Sequence, residues 1–447
     1  MYTSLTSRLF IARLPISPLG HCFILHRYNM AAPPRRLNFL QSIAAITAHE
    51  YQAENHYVTT TDGYIIQMHR IPYKRYENIS NVSDRPVVLL MHGLMSSSDA
   101  FIYLGPEYAM AFNMADAGFD VWLGNARGNV HSRYHHTLDP DHNEEKYKFF
   151  DFSWEEIGTH DLPAMIDYIL EYTGNAKLHY IGHSQGGTVF LVLNSMRPEY
   201  NEKIESAHLL AGVGYMEYFP NEELISMAGM VDFIYNMALA MGIVELYSPT
   251  PTYKLAENSR ISDYCTGDIK NKHMLDSILG LFDVSGSAGA ALKQIAHYGQ
   301  NIRDKTFRRW HYGLSGINLE NYGDSSPPNY NLSLITINTC MHYTVNDDLL
   351  DERDVLNMAA DMPNAKVRKV ARESFLHEDF VIAIDAKELV TVYIIDAIRG
   401  GSTEEETNET EMVDPEEAVD PEKAVESEEM VDQEEVVDLE EVDEVVV

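Results

Sequence analysis

The chain has 447 residues, 45% hydrophobic and 10% aromatic, which suits one large globular core and excludes a collagenous or wholly disordered protein. No run of about 18 or more apolar residues marks a membrane span, and a net charge of −35 works against binding to nucleic acid or anionic lipid. Three scattered cysteines, Cys22, Cys265 and Cys340, have no metal-type spacing and imply neither a zinc site nor a disulfide framework.

Residues 1–39 show no sustained periodicity and include Pro33-Pro34-Arg35-Arg36, so they read as a leader or a disordered arm. Arg8, Arg13, Pro15, Pro18 and His21 interrupt what would be the apolar region of a signal peptide, which makes a poor secretory signal. A folded domain is expected over residues 40–399. From Asn55 to Arg70 two β-rich runs flank Asp62-Gly63, a pair favoured in tight turns, and predict a hairpin. Pro86 to Met91 and Phe119 to Leu123 are short continuous apolar runs of the kind covered on both faces of a sheet, with a helix between them over Ala109 to Gly118. Asp161 to Tyr172 repeats apolar residues at helical spacing, Leu178 to Ile181 is a strand, and Thr188 to Met196 resumes helical spacing.

Further strands are expected at 204–210, 334–341 and 366–370, and Ala386 to Ile398 makes a closing helix. This alternation predicts an α/β fold with a mostly parallel central sheet flanked by helices. Residues 216–305 break the alternation with Met-rich helices, in which Met227, Met230, Val231, Ile234, Met237 and Met241 recur at helical spacing. They read as a helical cap, or lid, inserted above the sheet, although such a stripe fills ordinary cores as readily as lipid grooves. Residues 400–447 form an acidic tail. There, 21 of the 68 acids face the single base Lys423, so the rest of the chain carries only about −15. Val413 to Val442 falls into five hexapeptides of the VDPEEA type, whose like charge and scarcity of large apolar side chains predict disorder.

Gly182-His183-Ser184-Gln185-Gly186 lies between a strand and a helix and fits a nucleophile elbow, a sharp turn whose glycines make room for an exposed hydroxyl. Alone the pattern is weak, since G-x-S-x-G arises by chance in about one chain in seven of this length. Order along the chain adds weight. In α/β-hydrolases the serine comes first, then an acid after a later strand, then a histidine. Among nineteen histidines only His377 lies beyond the acid region, which makes it the candidate base. Asp347, Asp348, Asp351 and Asp354 all stand where an acid is needed, and spacing does not separate them. His92-Gly93-Leu94 ends the Pro86 strand, so the amide of Leu94 is one candidate oxyanion donor and that of Gln185 the other. His92 and His183 read as structural.

Several segments together resemble the acid lipase family of α/β-hydrolases. They include Thr61-Asp62-Gly63-Tyr64-Ile65, His92-Gly93-Leu94, Asn125-Ala126-Arg127-Gly128-Asn129, Gly182-His183-Ser184-Gln185-Gly186 and His297-Tyr298-Gly299-Gln300. The resemblance covers roughly residues 40–399. It implies Ser184 as nucleophile, His377 within Phe375 to Phe380 as base, and Asp347, followed by Asp354-Val355, as the acid. It also implies neutral lipid esters (acylglycerols or sterol esters) as substrates met at a lipid–water interface, a lid, no metal, no organic cofactor, and a secreted or lysosomal protein. A short-chain carboxylesterase and an inactive lipid-binding homologue are the rival readings.

Departures from the family pattern are specific. The second cysteine that usually follows the one similar to Cys265 is absent and Phe282 to Ala290 looks shortened, so the cap disulfide is expected to be missing. Asp348 and Glu378 replace apolar residues beside the triad. If the Glu378 carboxylate approaches the imidazole, it stabilises the protonated base and moves the activity optimum to higher pH. Asn78, Asn81, Asn331 and Asn408 head triplets that fit N-glycosylation, as in a glycoprotein.

Overall fold

Val87–Met91 and Asp120–Gly124 are buried at every position, as expected of interior strands covered on both faces. They lie at the heart of an eight-stranded sheet in a computed structural model that describes residues 41–73, 85–246 and 287–400. The leader, the acidic tail, Cys22, Cys265, the triplets at Asn78, Asn81 and Asn408, and the middle of the cap fall outside the described residues.

In chain order the strands are β1 (Glu54–Thr59), β2 (Ile65–Ile71), β3 (Val87–Met91), β4 (Asp120–Gly124), β5 (Leu178–His183) and β6 (Ile204–Leu210). A two-residue ribbon follows, β7 (Glu245–Leu246) with β8 (Ala290–Ala291), and then β9 (Asn338–Tyr343) and β10 (Ala365–Lys369). The sheet order is β1-β2-β4-β3-β5-β6-β9-β10. β1 and β2 form the expected antiparallel hairpin, and β2 also runs antiparallel to β4; every other neighbour is parallel. Gly63 turns that hairpin at φ 100°, which a side chain would resist.

Arg127 ties the hairpin to the core. Fully buried, it donates from Nε to Asp161 at 2.7 Å and from Nη1 to Asp62 at 2.6 Å, with its guanidinium 3.9 Å from the Tyr64 ring centre. The buried charge is therefore matched by carboxylates from two segments distant in sequence.

Three expected elements differ in extent. The strand placed at 334–341 begins only at Asn338, because the Asn331 side chain accepts from the Ser333 amide at 3.1 Å and caps a short 3-10 turn over Leu332–Leu334. Wide π turns open two helices, Ile157–Asp161 ahead of Leu162–Thr173 and Lys387–Thr391 ahead of Val392–Ile398. Within residues 216–305, Glu222–Ala228 and Val231–Ala240 meet at a 67° bend. The bend breaks the phase of the Met-rich stripe. Met227 and Val231 are buried whereas Met230, Met237 and Met241 are exposed, so the six residues do not share one face.

Candidate active site

Strand β5 delivers Ser184 with φ 52° and ψ −115°, outside the ordinary regions for a residue with a side chain. Helix begins at once, at Gln185 rather than Thr188, and is buried from Gln185 to Ser195. So tight a turn requires bare backbone on both sides. A Cβ on Gly182 would lie 2.5 Å from the carbonyl carbon of Gly186, and one on Gly186 would lie 2.3 Å from the carbonyl oxygen of Met91. The Ser184 amide donates to the Leu210 carbonyl at 2.9 Å, and the Tyr180 hydroxyl donates to the Gly186 carbonyl at 2.6 Å. Backbone strain is thus held by neighbours on β3, β5 and β6.

His377 and Asp347 meet beyond the ends of β10 and β9. The imidazole Nδ1 donates to both oxygens of Asp347, at 2.8 and 3.0 Å. Asp347 Oδ1 also accepts the amides of Leu349 and Leu350 at 2.8 and 3.1 Å, which fixes the carboxylate. Burial disfavours charge on His377, but the charge and hydrogen bond of Asp347, followed by the charges of Glu378 and Asp348, outweigh it and push the imidazole pKa up to about 9. With Nδ1 committed to Asp347, Nε2 is left buried and without a hydrogen bond. The ring of His183, the residue before Ser184, bonds the His377 carbonyl and so brings the two to one locality, without a hydrogen bond between Ser184 and the imidazole being closed; such bonds commonly tighten only with substrate.

Two of the other carboxylates of the acid loop are occupied elsewhere. Asp351 caps the helix Glu352–Asp361 by accepting the Arg353 amide at 2.9 Å, and Asp354 accepts the amides of Glu217 and Tyr218 at 3.2 and 3.0 Å. Asp348 is exposed; partial burial, then the charge of Asp347, raises its pKa. His92 donates from Nδ1 to the Gly93 carbonyl at 2.7 Å and accepts the Ala126 amide on Nε2 at 3.1 Å, a satisfied structural histidine with a pKa that burial pushes down to about 4. His183 does more than its sequence position suggests. Its Nε2 donates to the His377 carbonyl at 2.9 Å, a link between strand end and distant loop that no local spacing displays.

Leu94 and Ser184 open onto a cavity of about 330 Å3, walled by apolar cap residues that include Val231 and Ile234, with Glu378 in its wall. Gly93 permits the close approach, since a Cβ there would stand 3.1 Å from that of Ser184. Gln185 heads its helix, so its amide is among the first N–H groups that lack an intrahelical carbonyl. The arrangement can place a hydroxyl, an imidazole oriented by a carboxylate, and two backbone donors around one carbonyl group.

One trio of potential metal ligands stands among the described residues, His208, Cys340 and His342, with donor atoms within 4.8 Å of one another. The two imidazoles already share a hydrogen bond of 3.0 Å, and the nearby charge of Arg368 opposes a cation there. They belong to the sheet, away from the cavity wall.

Two family profiles match the chain, one described as a partial alpha/beta-hydrolase lipase region over residues 43–105 and one as the alpha/beta hydrolase fold over residues 86–240. Lipase 1 of Drosophila melanogaster is 38% identical over 374 residues, covering 80% of this chain and 80% of its own length. Gastric triacylglycerol lipase of Bos taurus is 33% identical, covering 76% of this chain and 86% of its own. The Homo sapiens gastric lipase is 32% identical, covering 86% and 96%.

Proposed function

Because the chain belongs to the acid lipase family of α/β-hydrolases, we propose that it cleaves neutral lipid esters through Ser184, His377 and Asp347. The lipase role itself follows from that membership, and lipid is its substrate class. Ser184 Oγ attacks the ester carbonyl while His377 Nε2 takes its proton. Asp347 keeps the other ring proton on Nδ1 and stabilises the imidazolium. The amides of Leu94 and Gln185 donate to the oxyanion of the tetrahedral intermediate. His377 then protonates the departing alcohol, and a water activated by the same nitrogen releases the acid from the acyl-enzyme.

The observation that carries this reading is the two-oxygen hydrogen bond of His377 to Asp347, next in the chain to Glu378, which lines the same apolar cavity as Ser184. That wall favours long acyl groups over the short esters of a carboxylesterase, since apolar burial grows with each methylene. Neutral lipid esters are insoluble, so we take substrate to be met at a lipid–water interface; among the described residues no single helix is long and apolar enough to cross a membrane. The test is hydrolysis of 4-nitrophenyl esters of rising chain length and of emulsified triolein, beside Ser184→Ala. Activity that rises with chain length and vanishes in Ser184→Ala supports the lipase mechanism. Preference for acetate would favour the short-chain reading, and equal release by both proteins would remove the triad.

A further inference from the structure

Among the described residues that line the cavity beside Ser184, most are apolar and Glu378 is the one carboxylate. Among the described residues no lysine or arginine lines it, and the Glu378 carboxylate has neither an ion pair nor a hydrogen bond with any of them. Glu378 is exposed, follows His377 directly in sequence and lines the cavity. Asp347 and Asp348, which act on the same imidazole, carry the same sign. A charge on a cavity wall acts over several ångströms with no need for contact, and in the reactive state, where His377 is neutral, no cationic side chain among the described lining residues offsets it.

We propose that Glu378 sets the charge selectivity of the active site, which accepts esters with a positive or neutral group near the scissile carbonyl and rejects those with a negative group there. The reading rests on Ser184 as the nucleophile, since that serine defines where the carbonyl sits. Acylglycerols and sterol esters are uncharged and meet no penalty. An ester flanked by carboxylate, sulfonate or phosphate is held off by Glu378 before reaction begins. The same repulsion acts on the fatty-acid anion once hydrolysis has released it, which shortens the product's stay.

Three butanoate esters of similar alcohol size provide the test: choline (cationic), 3,3-dimethylbutyl (neutral) and 2-sulfoethyl (anionic). Within one enzyme at one pH, a change in His377 protonation multiplies all three rates alike. The ratios of kcat/KM therefore isolate the interaction with substrate charge. The native enzyme is expected to rank choline above dimethylbutyl above sulfoethyl. Glu378→Gln should compress the choline-to-sulfoethyl ratio by about three- to tenfold, and Glu378→Lys should invert it, the size expected of single charges in a solvated opening. High salt should compress the native ratio in the same direction. Ratios unmoved by both substitutions would overturn the proposal, even if absolute rates fall. Retention of activity in Ser184→Ala would instead overturn the underlying mechanism, so the two failures are distinguishable.

Discussion

His183 Nε2 donates a hydrogen bond of 2.9 Å to the carbonyl of His377, a residue 194 positions further along the chain. Because burial pushes the His183 pKa down, its ring is neutral and carries a single N–H, which this bond places on Nε2. The histidine beside the proposed nucleophile thus anchors the backbone of the proposed base, and His183 acts as a positioning residue.

Replacing His183 by Ala should lower kcat by about 10- to 100-fold with a smaller change in KM, since displacing a base by about 1 Å costs that much. Gln at the same position keeps an N–H donor and should recover part of the loss. Equal kcat in the two variants would show that only packing had been disturbed.

Asp347 and Asp348 can be separated by paired substitutions. Asp347→Asn should reduce kcat by on the order of 10³- to 10⁴-fold, as expected when the partner that fixes the imidazole tautomer is lost. Asp348→Asn should stay within about tenfold, because it removes charge from an exposed side chain. Comparable losses in both would reassign the acid.

The charged surroundings of His377 carry a pH signature. Its pKa near 9 means that kcat/KM should climb with rising pH as the ring loses its proton, so the acidic limb lies above neutrality. Glu378→Gln removes a charge that favours the protonated ring, lowers that pKa and shifts the limb toward acid. A profile from pH 5 to 10 on a neutral ester decides the matter, and a limb that stays in place would discard the coupling.

Glycines of the elbow should be intolerant for a reason distinct from strain. Gly186→Ala drives a Cβ to 2.3 Å from the Met91 carbonyl oxygen, which belongs to backbone and cannot step aside. Loss of at least about 3 kcal/mol, or failure to fold, is expected. Gly174→Ala is the control. It ends a helix at φ 72° with nothing near its added carbon, so only the left-handed conformation is penalised, by about 1 kcal/mol. Urea denaturation of both variants should show that gap.

Legibility followed the physics of each feature. The strands at Val87–Met91 and Ile204–Leu210 and the hairpin around Asp62-Gly63 declare themselves through short apolar runs and turn chemistry, which depend on adjacent residues alone. Ser184 and His377 could be picked out by motif and chain order, whereas Asp347 needed the family pattern, because four nearby aspartates look alike until the fold gives Asp351 and Asp354 other partners and leaves Asp348 exposed. The exposed halves of the Met stripe were not legible, since a 67° bend has no period of its own. Nor was the bond from His183 to His377, which exists only once distant loops meet.

The profile for the general hydrolase fold begins at residue 86, and a chain trimmed to start there would look sufficient on paper. Arg127 makes it otherwise. Cutting away Asp62 would leave a guanidinium sealed from water with Asp161 alone and its Nη1 bond unmade, a deficit of about 1–3 kcal/mol. Set against the ~5–15 kcal/mol that holds a typical domain together, that loss falls on folding before it reaches chemistry, and the opening hairpin is a foundation of the enzyme rather than an ornament on its edge.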